Sequence, residues 1–117
     1  MSNQSFASAV RAASLTGADN QMVPGNRGAR FVLDVTVAPG VDTVTLIIEN
    51  KDVVSGKYIQ VAAAAARVIT GTDVITVMPG IATSGTQVSD ALSDVYRARV
   101  AHSAASNFTY SLSVVER

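Results

Sequence analysis

In a series of short runs between residue 30 and the C-terminus, apolar side chains recur at every second position, and no other feature constrains the fold as strongly. In "RFVLDVTV" (residues 30–37), Phe31, Leu33, Val35 and Val37 share one face against Arg30, Val32, Asp34 and Thr36. Val44, Leu46 and Ile48 alternate with Thr45, Ile47 and Glu49, and Ile59 and Val61 oppose Tyr58 and Gln60. Tyr96, Ala98 and Val100 oppose Val95, Arg97, Arg99 and Ala101, and Phe108, Tyr110, Leu112 and Val114 oppose Thr109, Ser111, Ser113 and Val115. Successive Cβ atoms of a strand point to opposite sides of its sheet, so period two with one apolar face marks a half-buried strand. Valine is frequent in these runs, and its restricted χ1 suits a pleated surface.

Turn signals divide the runs: "PGNRG" at 24–28, "APG" at 38–40, "TGTD" at 70–73 and "PG" at 79–80. Six strands are predicted, at 30–38, 42–50, 57–62, 73–78, 94–103 and 107–116, with up to two more towards the N-terminus. The Ala-rich stretch 62–68 is too short for an independent helix and reads as a strand end merging into a compact connection. The longest polar connection is 81–94. This pattern predicts an all-β chain: an antiparallel β-sandwich, jelly-roll or Ig-like, of about six to eight strands. A chain of 117 residues can bury one proper core. Residues 1–20 are rich in Ser, Ala, Asn and Gln and read as an extended N-terminal arm, leaving 21–117 as the sandwich domain. Within the arm, "SAVRAASLT" fits either a short helix or an extended strand.

Charge and composition narrow the partners. Nine basic residues balance nine acidic ones, which gives no general footprint for nucleic acid and no polybasic cluster for an anionic membrane. The absence of cysteine excludes disulfides and thiolate metal sites. No charge-free apolar run reaches the roughly 18 residues of a membrane-spanning helix, and the first residues do not read as an export signal.

The residues that carry chemistry are scattered. His102, the only histidine, stands beside Ser103 with Asp94 upstream, but neighbours on a strand diverge and there is no G-x-S-x-G elbow. Asp90 and Asp94 are the only closely spaced acids on one helix-like face, and no calcium loop, phosphate loop or dinucleotide fingerprint is present. The expectation is a non-enzymatic protein with no catalytic, cofactor-binding or metal residues and no small-molecule substrate. In "DVVSGK" (52–57), Ser55-Gly56 reads as a hairpin turn, with Asp52 and Lys57 either solvating its tip or pairing weakly across it. Arg97 and Arg99 share the polar face of one strand, roughly 7 Å apart, and Arg30 is similarly placed. Two readings stay open: the pair grips carboxylates on a partner, or it pairs with acids on a neighbouring strand.

The segments "GARFVLDVTV", "DTVTLIIENKDVVSGKYIQV", "TGTDVITVMPGIA", "DVYRARVAHS" and "FTYSLSVV" together resemble the small β-rich virion proteins of tailed bacteriophages. The Leu-Asp-Val-Thr strand, the Lys-Asp-x-x-Ser-Gly-Lys-Tyr hairpin, the Thr-Gly-Thr turn and the strand ending in Pro-Gly carry the likeness, over about residues 28–115. It implies a capsid decoration, or cement, protein that binds the outside of the shell on the virion surface. The implied partners are the major capsid protein and neighbouring copies of the chain, as a homotrimer, without nucleic acid or membrane. Phe6, Val10, Arg11 and Leu15 of the arm, with Lys57, Arg97 and Arg99, are the expected interface residues. A head–tail joining or tail protein, and a glycan- or receptor-binding sandwich, are the alternative readings.

Overall fold

A computed structural model describes residues 3–81, 83–84, 87–90 and 92–116. Among the described residues there is no helix, and ten strands form two sheets. The strands are β1 (Asn3–Arg11), β2 (Leu15–Thr16), β3 (Asn20–Gln21), β4 (Ala29–Val37), β5 (Val44–Lys51), β6 (Tyr58–Ala63), β7 (Gly71–Val77), β8 (Gln87–Val88), β9 (Val95–His102) and β10 (Phe108–Glu116). The first sheet has the order β1-β10-β4-β7-β8. The second has the order β2-β9-β5-β6, with β3 also paired to β9. Neighbours are antiparallel except β7 and β8, which run parallel.

The alternating apolar residues make the core. Phe31, Leu33 and Val35 of β4, Ile75 and Val77 of β7, and Phe108 to Val114 of β10 face Val44, Leu46 and Ile48 of β5 and Tyr96, Ala98 and Val100 of β9. Burying each larger side chain stabilises the fold by roughly 1.5–3 kcal/mol. Phe31 meets Tyr96 edge to face across the sheets, with centroids 6.0 Å apart. Glu116 continues the inward row of β10 and is buried. Its Oε2 accepts from Tyr96 Oη at 2.5 Å, and its Oε1 from Val23 N at 2.9 Å and Asn26 Nδ2 at 3.1 Å. Those bonds satisfy a carboxylate that burial would otherwise penalise. Burial, reinforced by the Glu116 bond, pushes the Tyr96 phenol well above its usual range.

Two bulges interrupt the expected alternation. Tyr110 pairs with Val35 but Thr109 pairs with Val37, so β4 carries one extra residue at Thr36. The bulge re-aims Val37, expected on the core face, into solvent at 56% exposure. In β6 a register shift falls opposite Ile48 and Glu49, leaving Val61 as the extra residue. Ala62 is then buried, while Ile59 is 60% exposed.

The segment read as an arm is laid along sheet edges from residue 3 onward. β1 follows β10 from Asn3↔Val115 to Arg11↔Phe108, with a shift between Phe6 and Ala9. β2 and β3 pair with β9. An edge strand is held chiefly by backbone hydrogen bonds, so a sequence poor in core formers can still occupy it. The connection after β6 is held by Arg67. Its backbone N–H and C=O pair with Val44 of β5 at 2.9 and 3.0 Å, and its guanidinium grips Asp73 of β7 through two bonds of 2.9 and 2.7 Å. One residue thereby ties both sheets together. Gly71 is required beside it: φ is +147°, and a Cβ there would overlap Arg67 Nη1.

Candidate partner interface

The outer face of the second sheet gathers charge around one carboxylate. Register places Glu49 of β5 opposite Arg97 of β9, Arg99 opposite Ile47, and Lys51 opposite Tyr58 of β6. These residues occupy the positions between the core residues, so alternation turns them outward together. Glu49 is buried beneath the two arginines. Its Oε1 accepts a hydrogen bond from Arg97 Nε at 2.8 Å and lies 3.3 Å from Arg99 Nε. The Arg97 guanidinium stacks on the Tyr58 ring, 3.4 Å from its centroid.

Asp19, in the turn between β2 and β3, closes the cluster. It accepts from Tyr58 Oη at 2.7 Å and from Lys51 Nζ at 3.2 Å. The Tyr58 hydroxyl bond is the main influence holding the Asp19 carboxyl below its usual range, and Lys51 adds to it. Asp19 in turn raises the Lys51 ammonium. One buried carboxylate therefore serves two guanidinium groups. Among the described residues, the terminal nitrogens of Arg97 and Arg99 make no hydrogen bond.

The β5–β6 hairpin projects from this sheet. Gly56 has φ +74°, as the turn requires. The Asp52 carboxylate accepts from Ser55 Oγ at 2.6 Å and from the N–H groups of Val54 and Ser55 at 3.4 and 3.3 Å. These bonds, the Ser55 hydroxyl foremost, lower the Asp52 pKa. Asp52 thus organises its own turn. Lys57 is exposed at the hairpin base, and Val53 and Val54 project from the tip. An open groove of about 330 Å³ lies between this hairpin and Ser93–Asp94, with Ile59 in its lining.

The predicted interface residues fall into two groups. Arg97 and Arg99 meet at Glu49, and Lys57 lies on the hairpin of the same sheet. The β1 residues belong to the other sheet. Phe6 packs against the core, as does Leu15 of β2, while Val10 is 66% exposed. Arg11 lies 4.8 Å from the Tyr110 ring centroid and donates to the carbonyls of Ala7, Ala9 and Tyr110. Of the two readings of the arginine pair, pairing with an acid on a neighbouring strand is what the structure shows, with Glu49 of β5 as that acid. Which acid it is, and the Tyr58 stack, were not readable from the sequence, because the pairing of β5 with β9 is non-local.

His102 is held at the seam between the sheets. Its Nε2 lies 2.8 Å from Tyr110 Oη, and its ring meets Phe108 edge-on at 5.7 Å. Burial, then the Arg11 charge, lowers its pKa. Ser103 Oγ accepts from Thr43 N at 2.8 Å, so the hydroxyl next to His102 serves the β4–β5 loop. Among the described residues, no three His, Asp or Glu side chains converge as a metal site would require, and no helix is long and apolar enough to cross a membrane. Comparison with protein-family models and with curated proteins returns no match.

Proposed function

We propose that the chain is a non-enzymatic structural protein of a phage virion, which binds the outside of the capsid lattice and stabilises it as a decoration protein. Its partners in this reading are the major capsid protein and neighbouring copies of itself, as a homotrimer on the virion surface. The finer fold in this reading is an antiparallel sandwich of jelly-roll or Ig-like type. The observation that carries the proposal is the outward cluster of Arg97 and Arg99 over Glu49, next to a projecting hairpin. Such a face suits adhesion to another protein surface through charge-assisted hydrogen bonds. Support also comes from where the resemblance falls: Leu33–Thr36 lies in β4, Lys51–Tyr58 spans the β5–β6 hairpin, and Thr70–Thr72 opens β7. Several modest contacts suffice when an oligomer engages a repeating lattice, because effective concentration multiplies them.

The test is sedimentation of purified protein with expanded, undecorated shells. Saturable binding at many copies per particle is expected, whereas a single ring of copies would indicate a head–tail connector. A folded protein that fails to bind such shells overturns the reading.

A further inference from the structure

We infer that the Arg97–Arg99 face of the second sheet binds an extended partner segment carrying carboxylates at alternate positions. The inference rests on the capsid reading only for the partner's identity; the chemistry follows from the face itself. Three cations, Lys51, Arg97 and Arg99, stand there against two carboxylates, Asp19 and Glu49. Asp19 is engaged by Lys51 and Tyr58, and Glu49 lies buried beneath the arginines. What faces outward is therefore guanidinium whose terminal nitrogens have no hydrogen bond among the described residues.

Each fork is built for two parallel bonds to a carboxylate. Residues two apart on a strand are separated by roughly 7 Å, which is also the spacing of alternate side chains on an extended partner. Arg97 is fixed in advance by its stack on Tyr58 and its bond to Glu49. Binding thus immobilises little of Arg97 that is not already immobile. The positions around the cluster, Thr45, Ile47, Gln60 and Ala101, are uncharged. A nucleic-acid backbone needs a longer basic stripe, so the compact pair favours a protein partner.

The probe is an eight-residue peptide alternating Glu and Thr, titrated into isotope-labelled protein and followed by NMR. Shifts should concentrate on the outward residues of β5, β6 and β9, and the same peptide with Gln for Glu should leave them unmoved. Arg99→Gln keeps the Arg97–Glu49 bond and should weaken binding roughly tenfold, since charge-assisted bonds are lost. Arg99→Lys, which keeps the charge without the fork, should fall between. Unchanged affinity in Arg99→Gln, equal binding of the Gln peptide, or tighter binding of a single-stranded oligonucleotide of equal charge would each overturn the inference. Peptide binding without shell binding supports this inference and removes the capsid reading. Shell binding without peptide binding or sensitivity to Arg99→Gln does the reverse.

Discussion

The outer faces of the two sheets arise from the same alternation and differ in almost everything else. On the first sheet, register lines up Ser111, Asp34 and Thr72 in one row, Ser113, Val32 and Val74 in the next, and Val115, Arg30 and Thr76 in a third. Hydroxyls and β-branched side chains dominate, and Thr72 Oγ1 bonds Asp34 Oδ1 at 3.1 Å. On the second sheet the equivalent positions hold Glu49, Lys51, Tyr58, Arg97 and Arg99, joined by ion pairs and a ring stack. A hydroxyl face tolerates many neighbours, because each group can bond locally or to water. A charged face is stable only where the register sets opposite signs side by side. The second face therefore depends on β5 pairing with β9 in one register, and a slip by one residue would turn the arginines into the core.

The largest effect should come from Arg97→Ala. Buried Glu49 loses its closer donor and Tyr58 the closer of its two cations, so urea unfolding should show a loss of about 2 kcal/mol. A loss indistinguishable from zero would mean the two faces are energetically alike.

The next effect is on pH dependence and belongs to neither face. His102 has a folded pKa below its ordinary 6.5, so the folded state binds fewer protons than the unfolded chain. Its contribution to stability is present above pH 6.5 and is lost as pH falls from there towards the folded value. Unfolding midpoints between about pH 7.5 and 5.5 should decline, and His102→Asn should flatten that slope. An unaltered slope in the variant would place the titration elsewhere.

Tyr58→Phe is smaller. It removes the hydroxyl bond to Asp19 on an exposed surface, with an expected cost of about 0.5 kcal/mol. Asp19 is depressed below 3.8, so the stability linked to it is present above that value and lost as pH falls below it. Tyr58→Phe should therefore raise the Asp19 pKa, measured by carboxyl NMR titration; an unmoved value would detach Tyr58 from the cluster. The smallest effect is expected on the other face. Arg30 is exposed there, and Arg30→Ala should change stability by less than about 0.5 kcal/mol. A larger loss by urea unfolding would show that the hydroxyl face also depends on its charges.

Much of the strand framework was legible. The predicted strand at 30–38 is β4 at Ala29–Val37, that at 94–103 is β9 at Val95–His102, and that at 107–116 is β10 at Phe108–Glu116. Those runs have one clean apolar face each, so burial and local pattern agree. The bulges at Thr36 and Val61 were not legible, since an extra residue is defined only against a partner strand. β8 was not legible either: two residues inside a polar connection carry no period. Of the site, Arg97 and Arg99 were visible as an outward pair. The carboxylate beneath them lies 48 residues from Arg97, and nothing local links the two.

Alternation by itself determined the all-β character and the inward rows Phe31–Val35, Val44–Ile48, Tyr96–Val100 and Phe108–Val114, because Cβ direction along an uninterrupted strand is a local property. The hydrophobic effect is non-directional: it says which face leaves water, not which strand lies alongside. Only the tertiary structure decided that Glu49 would sit under two arginines, that Arg67 would join the sheets, and that a polar N-terminal segment would lie along β10. Each of those contacts depends on backbone pairing between distant segments, and register is a property of the pair.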